Sequence, residues 1–381
     1  MTVLLSENII SALGFTSEEN YLNVKQSISG LKRYTNRFGI PEPFMASEID
    51  NERLEDTFAS IAQKTNQKYS KLEKASILSV YYALQNTGIV PSDKKVLFIL
   101  SSTKGNIFLL SEAERDNYEA EQIYLWRSAE LISTFFGNNN KPLVVSNACI
   151  SGLSALIAAQ RSLRSGRYDY AIITGADMLS KFIITGFQSF KALSQEICKP
   201  FDINRKGLNI GEAVATIILS EKNEAPNGSV EFTIAAIRND ANHISGPSRT
   251  GEGLYLALKK VVENVDINDF AFINTHGTAT PYNDEMEAIS LARAGLQNVP
   301  VNGLKGYFGH TLGAAGLLES IISVLALKEG TLLKTYGFET LGVSTPLNIV
   351  KHTITAYGKK HFIKSLSGFG GCNIAARYTL H

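Results

Sequence analysis

The stretch 143-LVVSNACISGLSALIAAQRSLRSG-166 runs from an apolar strand, through a tight turn at Cys149, into a helix rich in Ala, Ser and Gly. Such a small-residue helix can pack closely against a sheet or a second helix. Cys149 stands where the helix begins. There, unpaired backbone N–H groups and the positive end of the helix dipole favour thiolate over thiol by ~1–2 kcal/mol, about one pKa unit. The turn is also expected to hold the sulfur on a sharp elbow, open to a pocket. Taken by itself, a free cysteine is more often a small buried hydrophobe.

The same setting recurs twice. In 270-FAFINTHGTATPYNDEMEAISLARAG-295, a strand ends at His276 before a helix expected to open near Asn283 and Asp284. Strand ends of this kind are where open α/β sheets place ligands. Thr278 and Thr280 add hydroxyls to the loop, and Asp284 with Glu287 has the spacing of a capping box. In 299-VPVNGLKGYFGHTLGAAGLLESIISVLALKEG-330, Lys305 and His310 occupy a glycine-broken loop, and Gly313, Ala314, Ala315 and Gly316 keep the next helix thin. Glu319 lies inside that apolar helix and needs a buried partner, for which Lys305 is placed. A Walker-type phosphate loop is excluded, since no GxxxxGK[ST] occurs. Each loop alone admits a purely structural reading; a reactive side chain placed three times between strand and helix points to one shared site.

Working outward, β-rich runs alternate with helical stretches, which predicts an α/β fold with buried sheets. Strands are expected at 95–100, 142–146, 170–175, 215–220, 232–237, 270–275 and 299–303. Helices are expected at 72–87, 150–165, 251–264, 284–295 and 311–328, several closed by a glycine such as Gly166, Gly295 or Gly330. The charged stretch 221-EKNEAPNGS-229 reads as the junction between two halves, 1–225 and 226–381. The segment 101–140, with Trp126 and 137-GNNNK-141, reads as a surface excursion.

The 381 residues suffice for one large domain or two ordinary ones; 44% are apolar and 19% charged. Net charge is +1, from 37 basic and 36 acidic residues, which argues against nucleic acid or an anionic membrane as partner. The three cysteines (Cys149, Cys198, Cys372) are too few and too widely spaced for a disulfide framework or a zinc knuckle. The apolar start MTVLLSENIISALG lacks a basic leader and is broken by Ser6, Glu7 and Asn8, so it does not read as a signal peptide. No apolar run is long enough to span a membrane. A cytoplasmic, soluble protein is expected.

The segments SNACISG, NTHGTATPYND and LKGYFGHTLGAAGLLE resemble the three active-site motifs of the β-ketoacyl-[acyl-carrier-protein] synthases with a Cys-His-His site, within the thiolase superfamily. Three more segments are similar to that family: 199-KPFDINRKGLNIGEA-213, 240-DANHISGP-247 and the glycine-rich 367-SGFGGCN-373. The motifs follow the family order over residues 140–380. The first 140 match more loosely, with an SGI-type segment at 28-SISGLKRY-35 and an initial strand clipped at Met1.

The resemblance implies a thiolase-like fold of two similar βαβαβαββ halves in five layers (αβαβα), the first carrying Cys149 and the second His276 and His310. It implies an acyltransferase performing decarboxylative condensation, with Cys149 as acyl-carrying nucleophile and the two histidines donating to the malonyl thioester oxygen. Lys305 with Glu319 would support the site, and Thr278 and Thr280 would contact phosphopantetheine. Phe369 would gate the site, and the backbone N–H groups of Cys149 and Phe369 would form the oxyanion hole. No metal and no free cofactor are implied, since substrates ride on the phosphopantetheine of an acyl carrier protein. The partners implied are that carrier and a second subunit, in a homodimer or a heterodimer with a synthase-like chain. Two positions depart from the family: Ser367 replaces a usual phenylalanine and Cys372 a usual threonine, for which packing is the expected role. Two other readings on the same fold are a non-condensing chain-length-factor partner, which typically lacks the cysteine, and a thiolase or plain acyltransferase.

Overall fold

The same order of elements occurs twice. A computed structural model describes residues 1–62, 67–111, 117–355 and 358–381. In the first half come β1 (Thr2–Ser11), α1 (Lys71–Leu84), β2 (Val96–Ser101), α2 (Leu125–Phe135), β3 (Leu143–Val145), α3 (Ser151–Arg164), β4 (Tyr170–Asp177) and β5 (Ala213–Glu221). The second half repeats them as β6 (Val230–Asn239), α4 (Glu252–Val261), β7 (Phe270–Asn274), α5 (Pro281–Arg293), β8 (Val301–Asn302), α6 (Ala315–Glu329), β9 (His361–Gly368) and β10 (Cys372–Leu380). Each half is therefore βαβαβαββ, with shorter elements inserted between its members.

The strand order carries the same repetition. The ten-stranded sheet runs β8-β7-β9-β10-β6-β1-β5-β4-β2-β3. In the first half β1–β5 and β5–β4 are antiparallel while β4–β2 and β2–β3 are parallel. In the second, β6–β10 and β10–β9 are antiparallel while β9–β7 and β7–β8 are parallel. The halves meet where Val3 and Leu4 pair with Glu231 and Val230.

Helices α3 and α6 pack on each other, and each touches strands of both halves, so they form the middle layer. Helices α1 and α2 cover the outer face of the first half, and α4, with α5 packed against it, covers the second. With helices on both sides, β2 and nearly all of β4 and β5 are buried along their length, which accounts for continuous apolar runs rather than alternation.

The middle layer needs small residues. A methyl group on Gly316 would stand 2.6 Å from the backbone nitrogen of Leu153, and one on Gly152 3.0 Å from that of Leu317. The backbones of α3 and α6 thus meet where the sequence is thinnest, bringing the starts of both helices together.

Three expectations need correction. The described residues of 101–140 are only partly a surface excursion: Gly137 and Asn139 are exposed, as is the adjoining Lys141. Trp126 is half-exposed, but Ala129, Leu131 and Ile132 on the other side of α2 are buried, and Asn138 is buried, donating to the carbonyl of Pro91 (2.6 Å). Helix α5 begins at Pro281, with Thr280 as its N-cap, so Asp284 and Glu287 lie inside the helix and form no capping box; their carboxylates hold loops instead. Finally, β1 is a full ten-residue strand rather than a clipped one, and β9 and β10 are long strands that the sequence pattern did not disclose, because Lys364 breaks the apolar run and the glycine loop hides the hairpin.

We predict that Gly316→Ala lowers unfolding stability by about 2–3 kcal/mol through overpacking. Gly186→Ala, where the added methyl meets open space, should stabilise its helix by ~0.5–1 kcal/mol. Equal urea midpoints for the two variants would contradict the tight crossing.

Candidate active site

The three loops converge. Cys149 Sγ lies 3.0 Å from His310 Nε2, and the His276 and His310 rings stand nearly perpendicular with centroids 5.0 Å apart. Ligating atoms of Cys149, His276 and His310 all fall within 4.8 Å of one another. Each residue is aimed by a strand-end turn containing left-handed backbone: Ala148 (φ 44°), Gly277 (φ 50°) with Ala279 (φ 60°), and Gly309 (φ 69°) with Leu312 (φ 50°). For alanine and leucine that conformation is strained, and the surrounding contacts must enforce it.

Those contacts are named. The loop of His310 is held from the segment 199–213: His310 N–H donates to the Asn209 carbonyl (2.6 Å), and Gly211 N–H to that of His310 (3.1 Å). Buried Asp177, at the end of β4, accepts from Gly313 N–H (2.7 Å), Ser102 Oγ (2.9 Å) and the backbone of Thr103 and Lys104. The loop of His276 is pinned by Glu287, whose carboxylate accepts from His276 N–H and Gly277 N–H, both at 2.7 Å. Asp284 accepts from Phe201 N–H (2.7 Å) and Ala279 N–H (3.2 Å). Thr278 and Thr280 bond each other (2.8 Å) in that loop.

The hydrogen bonds fix the character of His310. Leu312 N–H points at His310 Nδ1 (3.3 Å), so Nδ1 carries the lone pair and Nε2 the hydrogen, directed at the cysteine sulfur. A metal ion would require a lone pair there instead, so this tautomer suits hydrogen-bond donation rather than ligation. Burial, then the charges of Lys305, His310 and Lys364, push His276 well below the usual histidine range; burial, Lys305 and Lys364 do the same to His310. Burial and the lysine charges thus favour the neutral form of both rings.

Cys149 departs from its expectation. It is only 7% exposed, and burial raises its thiol to about 12, against the opposing pull of Lys305 and of the Phe369 N–H. Burial thus works against the helix end and favours the thiol form. Aromatic rings cluster beside the site: Phe369 stacks on Phe187 (5.8 Å) and meets the edge of Phe190 (5.3 Å), while Phe187 abuts His310. Phe369, 38% exposed, faces solvent on its other side.

The glycine loop bearing Phe369 is tied down around it. Gly370 N–H donates to the Ile244 carbonyl (2.7 Å), and Asn239 Nδ2 to that of Gly370 (2.9 Å). Ser367 Oγ bonds Asn373 (2.7 Å), whose amide reaches Asp240 (3.0 Å). Cys372 is buried, and its thiol donates to the Phe369 carbonyl (3.3 Å).

Behind the histidines, Lys305 Nζ donates to Glu319 Oε1 (2.8 Å) as the sequence suggested. A second lysine, Lys364 on β9, lies 2.6 Å from Glu319 Oε2. All three residues are buried. Sequence reasoning missed Lys364, Glu287, Asp177 and Phe187 as site-builders. A lysine inside 361-HFIKSLSG-368 was the available signal, since an unpaired charge inside a sheet is not tolerated.

Comparison with known proteins gives the family and the fold. The family model described as beta-ketoacyl synthase, N-terminal domain, matches residues 16–225, and its C-terminal counterpart matches residues 230–339. The 3-oxoacyl-[acyl-carrier-protein] synthase 2 of Vibrio harveyi is 29% identical over 259 residues, covering 64% of this chain and 62% of that protein. A putative mitochondrial 3-oxoacyl-[acyl-carrier-protein] synthase of Schizosaccharomyces pombe is 30% identical over 231 residues, covering 55% and 54%. The chain thus spans between about half and two thirds of the length of these curated relatives. A ketosynthase solved with its chain length factor from Xenorhabdus doucetiae superposes with a TM-score of 0.84 at 22% identity, over 100% of this chain and 98% of that one. The ishigamide ketosynthase/chain length factor gives 0.85 at 22%, over 100% and 99%. The fold is that of the ketosynthases, and the chain belongs to the β-ketoacyl synthase family.

Proposed function

We propose that this protein is a β-ketoacyl-[acyl-carrier-protein] synthase, extending an acyl chain by decarboxylative condensation with a malonyl-carrier thioester in fatty-acid or polyketide-type biosynthesis. The observation that carries this reading is a buried thiol 3.0 Å from a neutral, Nε2-protonated imidazole with a second neutral imidazole beside it.

Cys149 attacks the acyl-carrier thioester, forming an S–acyl bond and releasing the carrier's phosphopantetheine thiol. The proton that the sulfur gives up ends on the departing phosphopantetheine sulfur, while His310 Nε2–H and Phe369 N–H support the developing thiolate. The tetrahedral oxyanion is received by the N–H groups of Cys149 and Phe369; one such donor typically contributes about 3 kcal/mol of barrier lowering. Malonyl-carrier then loses carbon dioxide, and its enolate oxygen accepts from His276 and His310. Neutral imidazoles suit this step, because an imidazolium would protonate the carbanion. The carbanion attacks the acyl carbonyl and expels Cys149, leaving a β-ketoacyl-carrier two carbons longer.

Lys305 and Glu319 fix the charge behind the histidines, Thr278 and Thr280 lie where the phosphopantetheine arm passes, and Phe369 must swing away for substrate to enter. The carrier thioester is the only cofactor-like group required. The working unit divides into the halves 1–225 and 226–381 and acts in the cytoplasm as a dimer, with itself or with a synthase-like subunit.

Intact mass after incubation with acyl-carrier thioester should show an acyl adduct that Cys149→Ala abolishes. His276→Ala or His310→Ala should keep the adduct and lose at least ~100-fold in condensation with malonyl-carrier. An adduct surviving without Cys149 sinks the mechanism; loading without malonyl-dependent product favours a plain acyltransferase. Because burial holds the thiol protonated, alkylation of Cys149 by iodoacetamide should accelerate about tenfold per pH unit between roughly pH 7 and 9. A rate already flat at pH 7 would show a resting thiolate instead.

A further inference from the structure

His310 has a hydrogen bond at each ring nitrogen, whereas buried His276 Nδ1 has no partner among the described residues. A ring with no side-chain orienter must be aimed through its backbone, and that backbone is gripped from two sides. On the N–H side, Glu287 accepts from His276 and Gly277. On the carbonyl side stands Lys364. Its Nζ donates to the carbonyls of Thr275 (3.0 Å) and Ser365 (2.9 Å), lies 3.4 Å from that of Asn274, and touches Glu319 Oε2 at 2.6 Å. Asn274 and Thr275 are the two residues before His276, and Lys364 pairs in register with Asn274 across β7 and β9.

We propose that Lys364 is a positioning residue for the decarboxylation half-reaction: its buried ammonium, fixed by Glu319, clamps the end of β7 so that His276 presents its ring beside His310 and Cys149. The inference rests on the condensing reading above and extends it to a residue that Lys305 does not duplicate. Lys305 sits on the other oxygen of Glu319, on the side of the His310 loop, whereas Lys364 reaches the carbonyls leading into His276. The two lysines also place positive charge behind the imidazoles, opposed by the carboxylates of Glu319 and Glu287. The charged or titratable groups around His276 are Lys305, Lys364, Glu319, Glu287, His310 and Cys149. Of these, Lys305 and Lys364 both oppose protonation of the rings. Removing Lys364 therefore lets both imidazoles protonate at higher pH.

The full-length protein, Lys364→Met and Lys364→Ala are each loaded with octanoyl-carrier thioester and then given malonyl-carrier. Adduct mass and carbon dioxide release are followed from pH 5.5 to 9. Lys364→Met should load Cys149 within about threefold of the parent rate and release carbon dioxide ~10- to 100-fold more slowly, as expected for a misplaced reacting group. Its acid limb, which lies below pH 5.5 in the parent, should also move to higher pH and enter this range. Lys364→Ala should behave alike and recover part of its decarboxylation in methylammonium, which fills the vacated space, while the methionine variant should not respond. Decarboxylation by Lys364→Met at the parent rate with an unmoved acid limb overturns the proposal. So does a parallel loss of loading and decarboxylation without methylammonium recovery, the signature of a merely structural lysine. Failure of the parent protein to acylate Cys149 instead overturns the condensing reading itself.

Discussion

One carboxylate shared by two buried lysines holds this site together. Glu319 reaches out from α6, Lys305 opens the short helix Lys305–Phe308 that follows β8, and Lys364 comes from the middle of β9. Placing three charges inside a protein is expensive unless they satisfy one another. Removing one member of such a set typically costs about 3–5 kcal/mol, because a buried charge is left alone. Burial works to raise the Glu319 carboxyl, yet Lys305 and Lys364 hold it below the ordinary range. The cluster thereby fixes two helices and a strand relative to one another, and it sets the field in which His276 and His310 sit.

That field explains why the chemistry is arranged from neutral groups. Thiol and imidazoles share a space beside Phe187, Phe190 and Phe369, where burial opposes ionisation of each. A Cys–His ion pair would be the alternative, but the Leu312 N–H on His310 Nδ1 and the lysine charges both argue against an imidazolium. The glycine-thin crossing of α3 and α6 serves the same end, because it brings the start of the cysteine's helix against the start of the helix that follows His310. The polar chain from Ser367 through Asn373 to Asp240 anchors the glycine loop where the family resemblance leads one to expect an aromatic ring.

Much of this was readable from residues in order. The strand–turn–helix settings of Cys149, His276 and His310 are local patterns, and Lys305 with Glu319 followed from the rule that a buried carboxylate needs a partner. The duplicated strand order was not legible, since β9 and β10 carry a charge or a glycine loop where periodicity should show. Glu287 and Asp284 were misread because capping and loop-pinning use the same acidic spacing, and only the position of Pro281 separates them. The state of Cys149 was misjudged for a different reason: a helix end can be seen in sequence, but the depth of burial that works against it cannot.

The central claim is that two neutral imidazoles, with His310 in the Nε2–H form, face a protonated thiol. Nitrogen-15 NMR of histidine-labelled protein between pH 5.5 and 8.5 tests it most directly. The account predicts ring-nitrogen shifts for His276 and His310, assigned by single substitution, that stay those of neutral imidazole throughout, with His310 protonated at Nε2. Titration of either ring near its ordinary value, or a His310 proton on Nδ1, would contradict it.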